Sequence, residues 1–430
     1  MKRLLFCLVA LIAVIAMVAP TYAVEMKING IQRTKFVADS NLNGDEDTDD
    51  SRQYVHNRLR MYFTSVASEN LKMVYKNEID FNWGDSAFGN GRGAGGGLGG
   101  DQVNLETKNV YLEMMIPDTP VKATIGLQGI TLHRGWWISD DASAVRLDMN
   151  FDPVTVLLAF VNADGASTLS DNADDVWQLH ASVGYKAENI DARLSLGYER
   201  GQNDPDAAGV DEDNFYQIMG EFGMSFDLVS FFVIAAGNFG ESEGEAGVSD
   251  REYKGYMFNA GVDFALDMAT LGLEFIYASG DDEDLADPRS QEEDYRSFSG
   301  QTYSWAEVVS DGYIWESNAN LPQIGGANSP SNMWTVAFHA DMKPTDTTSI
   351  GFDAYYIAMV EDRTVAGNDE DTIGLELNLD VTQKVYDNLD AKLIGAYMFA
   401  DDGFGTTPNA ADPNSGDDAF IVGLGLNYKF

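Results

Sequence analysis

Apolar and polar residues alternate strictly at the end of the chain. The residues at every second position from 420 to 430 are Phe420, Val422, Leu424, Leu426, Tyr428 and Phe430, with small or polar residues between them. This period of two is typical of a β-strand with one apolar face. The same alternation recurs in segments 71–83, 177–186, 190–199 and 373–381. No amphipathic helical stretch is long enough to cover such a sheet, so the pattern predicts an all-β protein.

The connections between the alternating segments are short and long in turn. Short ones are 67–70, 117–120, 152–153, 344–347 and 386–388. Long ones are 39–53, 84–104, 131–144, 164–175, 201–214, 240–252, 280–331, 360–370 and 400–417. Short turns on one side and long polar loops on the other are typical of a transmembrane antiparallel β-barrel. We predict 18 strands, or 16 if two weak segments are loops, with short periplasmic turns, long acidic extracellular loops and a water-filled lumen.

The N-terminus has the features of a secretory signal peptide. Lys2 and Arg3 precede an apolar run from Leu4 to Ala19, and Thr21-Tyr22-Ala23 provides small residues at a cleavage site. The alternative, a transmembrane anchor, requires about 20 consecutive apolar residues, more than this run contains. We therefore expect residues 1–23 to be cleaved, leaving a single barrel domain at 24–430. Cleavage would remove Cys7, the one cysteine of the chain.

The composition argues against several other classes of protein. The formal net charge of −42 would repel nucleic acid. The four histidines, His56, His133, His180 and His339, lack the spacing of metal ligands. The glycine-rich run 91–100 is not followed by the Lys-Ser/Thr pair of a phosphate-binding loop. We therefore expect neither an enzyme nor a nucleic-acid partner.

Three short motifs carry a family resemblance. They are Arg58-Leu-Arg-Met-Tyr-Phe63, Ala123-Thr-Ile-Gly-Leu-Gln128 and the closing Gly425-Leu-Asn-Tyr-Lys-Phe430. The chain resembles the trimeric general porins of Gram-negative outer membranes, and most closely the large porins of sulfate-reducing deltaproteobacteria. The resemblance implies a homotrimer embedded in outer-membrane lipid and lipopolysaccharide. It also implies that Tyr428 and Phe430 form the signal read by the barrel insertion machinery.

Basic residues are concentrated on the wet faces of the first three strands: Arg33, Lys35, His56, Arg58, Arg60, Lys72 and Lys76. Porins of the resembled type set such a cluster against an acidic loop at the narrowest point. Loop 131–144 is the candidate here, with Asp140 and Asp141 as its acidic pole and Trp136 and Trp137 narrowing the lumen. The alternative is that the basic residues pair with wall carboxylates such as Glu78 and Asp80 and stabilise the barrel.

The first long loop has the spacing of a calcium-binding loop. With Asp39 as position 1, Asn41 and Asn43 fall at positions 3 and 5, Gly44 at position 6 and Asp50 at position 12. The flanking helices of an EF-hand are absent from the pattern. The alternative is an acidic, turn-rich surface loop. Calcium is thus a possible ligand, and no other cofactor is expected.

Taken together, these features predict an outer-membrane porin for passive diffusion of small hydrophilic solutes and ions. One alternative is a channel selective for sugars, amino acids or carboxylates. Another is a structural or adhesive outer-membrane barrel.

Overall fold

The structure is a computed structural model, and it describes most of the chain after residue 23. The described residues are 24–45, 50–85, 95–100, 103–164, 176–201, 210–244, 250–281, 291–300, 303–310, 312–314, 318–319, 321–326, 330–365, 368–405 and 416–430. The predicted signal peptide at 1–23 lies outside them.

Twenty strands are formed by the alternating segments. They are β1 (Glu25–Ser40), β2 (Arg52–Ser68), β3 (Leu71–Asn82), β4 (Glu106–Met115), β5 (Val121–Leu132), β6 (Ile138–Phe151), β7 (Val154–Asp164), β8 (Val176–Lys186), β9 (Ile190–Gly201), β10 (Val210–Phe226), β11 (Val229–Gly244), β12 (Arg251–Tyr253), β13 (Tyr256–Ala265), β14 (Ala269–Ala278), β15 (Gln291–Glu292), β16 (Met333–Thr345), β17 (Thr348–Val365), β18 (Asn368–Tyr386), β19 (Leu389–Ala400) and β20 (Ala419–Lys429). Two short 3-10 helices, His133–Gly135 and Pro322–Ile324, complete the regular structure of the described residues.

Eighteen of these strands close into an antiparallel barrel. The first strand pairs with the last, from Ile31 opposite Lys429 to Ser40 opposite Phe420. Each other wall strand pairs with its two neighbours. The short strand β12 pairs with the end of β11 and, in parallel, with the short strand β15. The predicted count of 18 is confirmed. Closure satisfies the backbone hydrogen bonds that an open edge would leave unpaired.

The two ends of the barrel differ in their connections. At the end that holds Glu25 and Phe430, β6 and β7 are joined by two residues, 152–153, and β10 and β11 by 227–228. The opposite end holds the long connections. Two of the predicted long loops are wrong in extent: 131–144 shrinks to the turn 133–137, and β17 and β18 extend through most of 360–370. In both places the strands continue to pair past the expected loop ends.

The alternation of the sequence separates an apolar outer face from a polar inner face. Leu379, Leu393 and Leu194 are more than half exposed on the outside. Inward positions include buried polar side chains such as Gln178, Gln217 and Asn259. Among the described residues, no helix is long and apolar enough to cross a membrane.

Candidate channel lumen

A stretch of the long connection between β15 and β16 lies inside the barrel. We call its described residues between 294 and 314 the lumen segment. The Ser299 amide donates to Glu199 of β9 (2.8 Å), and Asn427 of β20 donates to the Tyr313 hydroxyl (2.8 Å). Because β9 is the ninth and β20 the eighteenth strand of the wall, the segment joins opposite sides of the barrel.

The first part of the lumen segment is anchored by charge. The Arg296 guanidinium contacts Glu199 at 3.0 Å and Asp213 at 2.9 Å, and lies 4.6 Å from the centre of the Phe215 ring. Beside it, burial and the neighbouring Glu292 carboxylate raise the pKa of Asp294 to about 6. The segment therefore enters the lumen through a network of partly buried charges around the buried Glu199.

Aromatic side chains hold the middle of the lumen segment. Trp136, fully buried, stacks on Tyr303 with 4.0 Å between ring centroids, and its indole N–H donates to Asn259 of β13 (3.1 Å). Trp137 packs on Phe298 at 5.0 Å and donates to His180 of β8 (3.0 Å). The turn 133–137 thus places both tryptophans against the lumen segment, as a tight turn rather than a long loop. Their role in narrowing the lumen stays a prediction.

Arg58 and Arg60, two of the predicted constriction residues, make ion pairs with the neighbouring strand. Arg58, only 2% exposed, contacts Asp80 at 2.7 Å and Glu78 at 3.5 Å, and Arg60 also pairs with Glu78. The register places Arg58 opposite Asp80 and Arg60 opposite Glu78. These contacts are those of the alternative interpretation, in which the arginines pair with wall carboxylates. A role for Arg58 and Arg60 in a constriction stays a prediction.

The two predicted acidic residues lie within β6 rather than on a loop. Asp141 accepts from Lys108 at 2.8 Å and from the Asn109 amide at 2.6 Å. Asp140 is exposed, and its carboxylate accepts the Asp141 backbone N–H (2.7 Å). The described contacts of Asp140 and Asp141 therefore join them to residues other than Arg58 and Arg60.

The remaining predicted basic residues have different surroundings. Lys72 pairs with Glu113 at 2.8 Å. Lys76 lies 5.2 Å from the centre of the Tyr62 ring and makes no ion pair with a described residue. The Arg33 guanidinium lies 5.9 Å from the centre of the Tyr313 ring. Lys76 is thus a predicted residue for which the described part of the wall provides no ion-pair partner.

The opposite half of the wall is acidic. Its inward positions carry Asp263, Glu274, Asp341, Asp353, Glu376 and Asp380. His339 lies between two of them, 2.8 Å from Asp353 and 3.3 Å from Glu274. The predicted basic residues lie on the first three strands, where Arg58, Arg60 and Lys72 pair with wall carboxylates, so the second half of the wall is the more acidic of the two.

The predicted calcium-loop residues are engaged in contacts within the protein. Asp39 pairs with Arg52 at 2.9 Å. The Asp50 carboxylate accepts the backbone N–H groups of Asn41 (2.6 Å) and Asn43 (3.1 Å). Residues 46–49 of this loop lie outside the described residues. Within the described part of the chain, no group of three His, Cys, Asp or Glu side chains is placed to hold a metal. Calcium binding stays a prediction.

The C-terminal residue takes part in barrel closure. The Gly30 amide donates to the Phe430 carbonyl (2.9 Å), and the Phe430 amide donates to the Gly30 carbonyl (3.1 Å). Tyr428 and Phe430 stack with 5.9 Å between ring centroids. Their recognition by the insertion machinery stays a prediction.

The sequence pattern does not reveal the lumen segment. The segment lies within connection 280–331, which the pattern predicts only as a long acidic loop. A signal was available, because its aromatic residues Tyr295, Phe298, Tyr303, Trp305 and Tyr313 set it apart from the other long connections.

The fold is shared with solved bacterial outer-membrane proteins. Pseudomonas aeruginosa OccK9 (OpdG) matches with a TM-score of 0.61 and 13% identity, over 94% of this chain and 98% of that one. OccK5 (OpdH) of the same organism matches with a TM-score of 0.59 and 9% identity over the same shares. Its OpdK, solved with vanillate, matches with a TM-score of 0.58 and 10% identity over 94% and 98%.

Comparisons by sequence found no match. No family model matches the chain. A search of curated proteins likewise found no significant relative. The chain therefore shares the barrel fold of the Pseudomonas proteins, and this likeness in fold is what the comparisons show.

Proposed function

We propose that this protein forms a water-filled channel through the outer membrane of a Gram-negative bacterium, and that small hydrophilic solutes and ions diffuse through it. The observation that carries the proposal is a closed 18-strand barrel whose outer face is apolar and whose inner face is polar and charged. A barrel of this strand number is too wide for wall side chains to fill. The outer membrane is the site where such barrels are found in bacteria.

Several further features belong to the same proposal. The barrel would contact lipid through its apolar face and lipopolysaccharide through its long-loop end. Insertion would use the terminal aromatic residues Tyr428 and Phe430. We also propose, from the sequence motifs alone, that the protein is a homotrimer and that it is related to the large deltaproteobacterial porins.

A second candidate is a channel that selects among solutes. It is favoured by the lumen segment, which joins opposite sides of the barrel, and by the difference between the two halves of the wall, one with the basic residues and their carboxylate partners and the other with the acidic residues around His339. The similar fold of OpdK, solved with vanillate, suggests a small aromatic carboxylate as a test solute. On this proposal, the basic wall would attract the carboxylate and the acidic wall would orient it.

Swelling of liposomes that contain the purified, folded barrel separates the two candidates. A general pore should admit small sugars, amino acids and carboxylates at rates that fall with size alone. A selective channel should admit one class far faster than others of the same size. Liposomes that contain the same protein unfolded serve as the control. Swelling no faster than in that control, for every solute, would contradict both candidates.

A further inference from the structure

The tip of the lumen segment, its described residues between 303 and 314, is organised around one carboxylate. Glu307 accepts the backbone N–H of Tyr313 on one oxygen (2.5 Å) and of Ile314 on the other (3.0 Å). A side chain at Gly312 would displace this carboxylate, since a Cβ there would overlap the Glu307 carboxyl carbon. The turn therefore depends on the acceptor at 307, and the absence of a side chain at 312 leaves room for it.

A second carboxylate fixes this tip to the wall. Glu376 of β18 is 0% exposed, and its oxygens accept the backbone N–H groups of Glu307 (2.7 Å), Val308 (3.0 Å) and Val309 (3.3 Å). Three backbone N–H groups of the tip therefore converge on the two oxygens of one buried side chain. Glu376 is thus the main polar contact between the tip and β18.

The neighbouring wall is shaped to receive the same tip. On β20, a Cβ at Gly423 would collide with the Ile314 side chain, and one at Gly425 would collide with the Tyr313 hydroxyl. Lys35 of β1 donates to the Tyr313 carbonyl (2.5 Å). The tip therefore packs against two glycine positions of β20 and accepts a hydrogen bond from β1, and we call this place on the wall the notch.

We propose that Glu376 is a positioning residue that holds the tip of the lumen segment in this notch and so keeps the rest of the lumen open. This inference rests on the proposed channel function and deepens it. Without the Glu376 carboxylate, the backbone N–H groups of residues 307–309 would lose their acceptor on the wall. The tip would then leave the wall intermittently, and the space beside it is the lumen.

The experiment compares three variants of the full chain in planar bilayers. Glu376→Ala removes the acceptor, and Glu376→Gln keeps the shape but only one acceptor oxygen. Asp390→Asn is the matched control, because Asp390 lies on the lumen face of the neighbouring strand β19, is not one of the acidic wall residues named above, loses a carboxylate and pairs with Lys429 (3.8 Å) instead of the lumen segment. Each variant must first show the heat-modifiable migration of a folded barrel.

A chemical readout reports on the tip itself. The substitution Ala306→Cys places a thiol at a position that is 1% exposed, in a background that also carries Cys7→Ser so that this thiol is unique. A charged methanethiosulfonate reagent then modifies the introduced thiol only when the tip leaves the wall. In the Glu376→Ala background we expect modification to be faster by at least about tenfold, because three hydrogen bonds to one buried acceptor are lost.

The expected result is a steady current from the unmodified protein and from Asp390→Asn, and frequent partial closures with fast thiol modification in Glu376→Ala. Glu376→Gln should show intermediate closures and modification rates, and it serves as the test variant if Glu376→Ala does not fold. If the Glu376 variants match Asp390→Asn in both current and reactivity, the positioning role is wrong and the channel function stands. If no protein conducts, the channel function is wrong, and thiol reactivity still decides whether Glu376 holds the tip.

Discussion

Replacement of Leu379 by arginine tests which face of the barrel meets lipid. Leu379 is 52% exposed on the outer face of β18, between Leu377 and Val381. At a rise of roughly 3.3 Å per residue and a strand tilt of about 40°, each residue advances roughly 2.5 Å along the barrel axis. Leu379 precedes the end of β18 at Tyr386 by seven residues, so it lies roughly 18 Å from the short-turn end, well within an apolar band about 25 Å tall.

Leu379→Arg should therefore cost about 3 kcal/mol of folding free energy, within the range of about 2–4 kcal/mol for arginine near the bilayer midplane. The control is Thr382→Arg, which places the same side chain on the lumen face of the same strand and should cost less than about 1 kcal/mol. The assay is urea-dependent folding into lipid vesicles, followed by tryptophan fluorescence and by heat-modifiable migration on gels. Equal costs for the two substitutions would show that the assignment of inner and outer faces is wrong.

Three further predictions concern charge in the lumen. Asp80→Asn should destabilise the barrel by about 3 kcal/mol, because the buried Arg58 guanidinium loses one of its carboxylate partners. The control Asp148→Asn removes a carboxylate from a partly exposed pair with Arg146 and should cost less than about 1 kcal/mol in the same urea assay. Lys76→Gln should shift the reversal potential toward cations in a dilute salt gradient, and the shift should shrink at 1 M salt, where the screening length is about 3 Å; no shift at low salt would place Lys76 away from the conducting path. Burial raises the pKa of Asp294 to about 6, so the docked lumen segment is more stable when Asp294 is protonated, and its backbone hydrogen exchange should be slower at pH 5 than at pH 7.5 after correction for intrinsic rates. Asp294→Asn should remove this difference, and equal protection of the unmodified protein at both pH values would refute the effect.

The barrel could be predicted from the sequence because lipid imposes a simple pattern on each strand. A residue that faces lipid must be apolar, whereas the residues before and after it face water. The faces of a strand such as 420–430 can therefore be assigned from its own sequence. The sorting of short and long connections indicated the closure and the strand number. The pairing of Arg58 with Asp80 was also accessible, since both lie on adjacent strands joined by a short turn.

The lumen segment could not be predicted in the same way because its contacts join distant parts of the chain. Lys35 reaches the Tyr313 carbonyl across 278 residues, and Glu376 binds the backbone of residues 307–309 from 67 to 69 positions away. The groups that Glu376 binds are backbone N–H groups, which every sequence offers and which carry no signal. The notch on β20 consists of missing side chains, and glycine in a strand has several other causes.

Single-channel recording tests the central claim most directly. Purified full-length protein that shows the heat-modifiable migration of a folded barrel is added to a planar bilayer in potassium chloride at about 1 M, where surface charges are screened within about 3 Å. An open, water-filled lumen predicts stepwise currents that are proportional to voltage over a wide range and have one dominant step size. A bilayer that remains silent, although the folded barrel is inserted in it, would contradict the account.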